Sequence, residues 1–169
     1  FYIVATDIDT ASAQYLKATA EQMEQQLKAS CAIPIAYRDY PVIDGIAMTD
    51  GGVADSIPIR KAYQMGAEEI TVVLSQPLGY RKKTSKAPWF TRRIYKNHPA
   101  LASASLARAD NYNASIAFIH NPPADCKINI IAPPADFNVG RTTKNYQKLS
   151  DGYQMGIVAA QQHLQSIQL

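Results

Sequence analysis

Thr49-Asp50-Gly51-Gly52-Val53-Ala54-Asp55-Ser56-Ile57-Pro58-Ile59 places a carboxylate at the end of an extended segment, on a two-glycine bend that leads into a helix opened by proline. Glycine tolerates φ > 0 and lets another backbone approach closely. Proline fits the first helical turn, where its missing N–H costs nothing. Such a bend can aim a carboxylate into a cleft, although Asp-Gly is also an ordinary tight-turn signal. Just upstream, Val42-Ile43 and Ile46-Ala47-Met48 flank Asp44-Gly45 and predict a hairpin. Just downstream, Pro58 to Met65 predicts a short helix stopped by Gly66, and Ile70 to Leu74 predicts a central, parallel strand.

Further out, residues 1–8 are nearly continuous apolar and predict a buried strand, with Ala13-Gln14-Tyr15-Leu16 as a short returning one. Ala18 to Ser30 predicts a helix, Met23 and Leu27 forming its apolar side. From Gln76 the character changes. Residues 76–89, with Pro77, Gly79 and Pro88 among basic residues, predict a loop. Phe90 to Lys96 and Pro99 to Ala109 predict helices, the second extending through Ile116–Ile119; Lys127 to Ile131 predicts a strand. In residues 144–168, Leu149, Tyr153, Ile157, Ala160, Leu164 and Ile167 recur at helical spacing. Gly152 and Gly156 near that face predict close approach to another element.

Taken in order, the apolar Phe1–Ile8 run, the small-residue stretch Ala29-Ser30-Cys31-Ala32-Ile33-Pro34, the Asp50-Gly51-Gly52 bend, then Ala62, Gly66, Ala67 and Ile70–Leu74, resemble the second half of a patatin-like phospholipase, a lipid acyl hydrolase. The likeness is greatest to bacterial members with a C-terminal extension, and it covers residues 1 to about 75 better than the remainder. The resemblance implies the C-terminal half of a three-layer α/β/α fold with a mostly parallel sheet, carried on residues 1–75. Residues 76–169 would be a basic loop and a mainly helical extension with one strand. It further implies a Ser–Asp dyad with Asp50 as the base, Gly51 and Gly52 shaping its turn, and no metal or organic cofactor. The family's G-x-S-x-G nucleophile turn is missing, since no two of the eight glycines bracket a Ser at that spacing. With the chain starting at Phe1 inside a strand-like run, the expectation is a C-terminal piece of a longer enzyme, inactive alone.

The chemistry agrees with that assignment. A Ser hydroxyl is a weak nucleophile until a base takes its proton, and a carboxylate within hydrogen-bond reach can do so without His. Asp7 and Asp9 suit capping after the first strand, and Asp55 or Ser56 suits capping the helix at Pro58. Ser30 and Ser56 lack the glycine-flanked elbow that exposes a nucleophile. His98, His120 and His163 have no partner spacing, and Cys31 and Cys126 are expected to be buried thiols rather than zinc ligands.

The composition, 47% hydrophobic and 18% charged, is that of a globular protein. Its net charge of +3 conceals polarity along the chain. Between Ile70 and Ala109 there is no acid and there are eight basic residues, leaving −5 elsewhere. In that window Arg81, Lys82, Lys83, Lys86, Arg92 and Arg93 are interleaved with Trp89. The pattern suits an anionic membrane surface or a solvated loop. Nucleic acid is not an expected partner, because no nucleic-acid module is recognisable.

The expected function is therefore part of a hydrolase of fatty-acyl esters of (phospho)lipids, cytoplasmic or peripheral at the membrane, with self-association through the face exposed by truncation. A non-catalytic interaction or regulatory segment is the alternative.

Overall fold

Five residues separate the first two strands, too few for anything but an antiparallel return. The computed structural model describes residues 1–34, 36–37, 39–84, 87–140 and 142–167. In it β1 (Tyr2–Asp7) pairs antiparallel with β2 (Ala13–Lys17), from Tyr2 opposite Lys17 to Thr6 opposite Ala13. Asp7 secures the connection: its Oδ1 accepts the N–H groups of Asp9 (2.8 Å) and Thr10 (3.1 Å). Burial pushes the Asp7 carboxyl up, but the N–H groups of Thr10 and Asp9 outweigh it and hold the group below its ordinary value.

The chain forms two compact units, Phe1–Pro58 with Arg81–Ser115, and Ile59–Tyr80 with Ile116–Leu169; each draws on both sides of residue 75. In the first unit β1 also pairs antiparallel with β4 (Ile46–Asp50), Ala5 facing Asp50, and β3 (Val42–Ile43) completes the order β2-β1-β4-β3. The β3–β4 turn puts Asp44 at φ 51° and Gly45 at φ 79°, the left-handed pair that matches strand twist in two-residue hairpins. Helix α1 (Met23–Ser30) covers one face, where Ala29 packs with Ala5, Ile43 and Met48, and Leu16 flanks them. The helix begins five residues later than the sequence suggests, because Ala18–Gln22 turn the chain back after β2. Its inward residues are Gln26 and Ala29, whereas Leu27 and Met23 are exposed.

After β4 come a 3-10 turn (Gly51–Val53) and, in the second unit, α2 (Ile59–Gln64) and β5 (Glu69–Val73). Gly66, at φ 91°, supplies the left-handed stop of α2. β5 pairs in parallel with β6 (Lys127–Ile131), Glu69 opposite Lys127 through Val73 opposite Ile131. The chain is thus mixed α/β, but the expected mostly parallel sheet is not what the described residues form. The four-stranded sheet is antiparallel throughout, short returns joining β1 to β2 and β3 to β4 while β1 meets β4 across the intervening β2, α1 and β3. β5 is half of a two-stranded pair rather than a central strand.

Helix α3 (Pro88–Ile94) and the first part of α4 (Pro99–His120) return to the first unit. There Tyr95, Leu101 and Ala102 pack on Val53 of the 3-10 turn, with Ile94 and Ala104 beside them. Among the described residues, no helix is long and apolar enough to cross a membrane. Both cysteines are free; Cys126 is buried as expected, but Cys31 is exposed just past the end of α1.

Helix α5 (Tyr146–Ile167) lies on β6 in the second unit. Its apolar stripe turns inward only in part: Ile157 and Ala160 are half-buried, whereas Leu149, Tyr153 and Leu164 are exposed. The small residues Gly152, Gly156, Ala159 and Ala160 instead line a crevice with Ile131, Ala132 and Pro133. A Cβ at Gly152 would come 2.6 Å from Val139 Cγ2, whereas one at Gly156 would meet nothing within 4 Å. Gly152→Ala should therefore lower stability by about 1–3 kcal/mol through overpacking. Gly156→Ala should raise it by about 0.5–1 kcal/mol through helix propensity. Urea unfolding of the two variants checks the opposite signs.

Candidate functional site around Asp50

Asp50 ends β4 and caps the 3-10 turn, with φ −41° and ψ 120° and its Oδ1 accepting the Gly52 N–H at 2.7 Å. Its backbone is fixed on both sides. The Asp50 N–H donates to Ala32 O (3.0 Å), and the Asp50 carbonyl accepts from Thr6 Oγ1 (2.8 Å). Thr6, fully buried on β1, also accepts the Ala54 N–H at 3.2 Å, so one hydroxyl spans the entry and exit of the turn.

Gly51 is the tightest point. A Cβ there would overlap the Val4 carbonyl, coming within 2.6 Å of its carbon, and that neighbour is backbone of β1. No side chain fits. Gly52 is less confined: its Cβ would stand 3.0 Å from Asp50 Oδ1 and 3.1 Å from a terminal nitrogen of Arg108. The carbonyl of Gly52 accepts from Arg108 Nε at 2.6 Å and from Ser56 Oγ at 2.8 Å. A guanidinium and a hydroxyl thus clamp one end of this residue while the carboxylate holds the other.

The turn borders a cleft of about 390 Å³, lined by β1 (Phe1–Val4), by Leu27 and Ser30 of α1, and by Asp50 to Gly52, Asp55, Ser56 and Pro58. Asp50 is half-buried there. Ser30 and Ser56 reach the same cleft, but among the described residues neither hydroxyl bonds to the Asp50 carboxylate; that of Ser56 is directed to the Gly52 carbonyl. Asp55 has two partners, the Tyr15 hydroxyl at 2.7 Å and the Ile57 N–H at 3.3 Å. Burial first, and then this carboxylate, push the Tyr15 hydroxyl well above its ordinary value, so it remains a donor. The bond to Ile57 is a local turn ahead of Pro58, outside α2, which begins at Ile59.

Sequence reasoning missed Arg108, Thr6 and Tyr15. Arg108 is 56 positions from Gly52, and the one local signal was a lone cation in a small-residue helical stretch. Of the basic window, Arg81, Lys83, Arg92, Arg93 and Trp89 are exposed. Lys82 is half-buried, with its Nζ 4.7 Å from the centre of the Tyr112 ring and its backbone bonded to Asn113. Lys86 lies outside the described residues. His98 packs edge-on to Tyr40, with Nδ1 3.7 Å from Asp9.

Gly51→Ala should destabilise the chain by about 3 kcal/mol, because the backbone of β1 must move. Gly52→Ala should cost only about 1 kcal/mol, because two side-chain ends can yield. Denaturant midpoints of the two variants test this ranking.

Residues 98–168 match a domain of unknown function, DUF6363. The chain is also 26% identical over 171 aligned positions, 99% of its own length, to an uncharacterized protein of Escherichia coli (strain K12), YjjU. It spans about half of that relative, 47% of its length. Arg108, which grips the Asp50 turn, lies within the stretch that matches DUF6363.

Proposed function

We propose that this chain is the C-terminal part of a longer patatin-like serine hydrolase that cleaves fatty-acyl esters of (phospho)lipids, with Asp50 as its base. The finer three-layer α/β/α architecture belongs to the same proposal, as does a Ser nucleophile contributed by another portion of the parent protein. The observation that carries the reading is the Asp50 carboxylate at the border of a cleft, on a turn whose first glycine admits no side chain. The fact that a relative is about twice as long as this chain is consistent with a missing portion.

In this mechanism Asp50 Oδ1 stays bonded to the Gly52 N–H, leaving Oδ2 to accept the seryl proton. The seryl oxygen then bonds to the ester carbonyl carbon, and the C=O electrons move onto oxygen. As that carbonyl reforms, the bond to the alcohol breaks and the alcohol takes the proton from Asp50, leaving an acyl-serine. Water, deprotonated by Asp50, then bonds to the acyl carbon. As the carbonyl reforms, the bond to the seryl oxygen breaks and that oxygen takes the proton from Asp50, freeing the fatty acid and restoring both Ser and carboxylate. Donors for the developing oxyanion, each typically worth a few kcal/mol of barrier, would come from the same absent portion as the Ser.

The capping bond of Asp50 also favours a second reading, in which the carboxylate serves the fold alone and the chain is an interaction or regulatory segment. Asn separates the two, because its carbonyl oxygen can still accept from the Gly52 N–H but cannot take a proton at neutral pH. In the full-length protein, Asp50→Asn should leave the unfolding midpoint nearly unchanged and lower ester turnover by on the order of 10²–10⁴-fold. Turnover near that of the unaltered protein would exclude Asp50 as the base. The 169-residue chain alone should show no turnover.

A further inference from the structure

Helix α3 has an unusual division of labour for so short an element. Thr91 and Ile94 are its half-buried residues, and Ile94 packs beside the Val53, Tyr95, Leu101 and Ala102 cluster. The opposite side consists of Trp89 with Arg92 and Arg93 three and four positions on, a spacing that puts all three on one face. Trp89 is 69% exposed and Phe90 53%, and their rings meet edge to face with centres 5.8 Å apart. Arg92, Arg93, Lys96, Arg81 and Lys83 are also exposed, and no acid occurs anywhere between Ile70 and Ala109. Water is a poor solvent for two adjoining aromatic rings, and a folded chain ordinarily buries such a pair.

We propose that the outer face of α3 is a membrane-docking surface that places Trp89 and Phe90 at the headgroup level of an anionic bilayer, with Arg92 and Arg93 on the lipid phosphates. Indole and phenyl rings favour that interface, and cations one helical turn away match its negative potential. The geometry suits a bilayer better than a nucleic acid strand. A strand binds in a groove that offers open ring faces, whereas these two rings meet edge to face on the exposed side of a short helix. Because Ile94 shares a packed cluster with Val53, the docked helix would be anchored directly to the turn that carries Asp50. The proposal goes beyond the hydrolase reading and does not require it.

Trp89 is the chain's single tryptophan, so its emission reports this surface alone. Adding vesicles of phosphatidylcholine mixed with phosphatidylglycerol should shift that emission to shorter wavelength and bring the chain down on sedimentation. Pure phosphatidylcholine should do so far less, and added salt should weaken the binding. Each basic residue near an anionic surface is worth about five-fold in partitioning. Arg92→Gln with Arg93→Gln should therefore reduce binding by about twenty-five-fold, with an unchanged circular dichroism spectrum. Phe90→Ser, also at an exposed position, should reduce it with the charge intact. Unshifted emission with anionic vesicles would overturn the proposal, as would equal binding to both lipid mixtures or undiminished binding by the arginine pair variant. Quenching of Trp89 by a single-stranded oligonucleotide without vesicle binding would assign the surface to nucleic acid instead.

Discussion

The close approach of Gly51 to the Val4 carbonyl is the constraint on which the site depends. β4 reaches Asp50 as a strand paired with Ala5, and the chain must then leave the sheet at once, passing directly over the neighbouring strand. Only a residue without Cβ can make that passage. The Asp50 carboxylate is consequently presented at the sheet's end, beside a cleft, rather than continuing the strand. The bonds of Thr6, Ser56 and Arg108 fix a path that this one steric fact has already chosen.

Much of this was legible in the sequence because the relevant physics is local. Asp44-Gly45 and Gly66 announce turns that need positive φ, and the structure puts all three there. The strand at Lys127–Ile131 follows from its β-branched isoleucines, and the extension of the long helix through Ile119 from the apolar run Ile116–Ile119. What could not be read depends on partners distant in sequence. The antiparallel order β2-β1-β4-β3 is decided by which strands meet, and a run such as Phe1–Ile8 fits either kind of sheet. Helix α5 shows a subtler limit. Its periodic stripe marks a helix correctly, yet Leu149, Tyr153 and Leu164 stay exposed while the small residues Gly152, Ala159 and Ala160 line the crevice beside β6.

Asp50, Gly51 and Gly52 stood out because two glycines after a carboxylate are rare enough to notice. Arg108 did not, because nothing near it in sequence refers to residue 52. Its presence at the turn ties the first part of the stretch matching DUF6363, up to Ser115, to the carboxylate-bearing turn within one packed unit. The cluster joining Val53 to Tyr95, Leu101 and Ala102 makes the same connection with apolar side chains. Tyr95, Leu101, Ala102 and Arg108, all within the Arg81–Ser115 portion of the first unit, therefore form part of the support for Asp50.

The central claim is that this turn offers a carboxylate to a seryl hydroxyl from the rest of the parent protein. Fluorophosphonate labelling of the full-length protein, with the adduct located by mass spectrometry, tests it most directly. The account predicts one modified Ser outside the 169 residues described above, labelled rapidly in the unaltered protein and far more slowly once Asp50 is replaced by Asn. Absence of any adduct, or labelling at the same rate in both proteins, would contradict it.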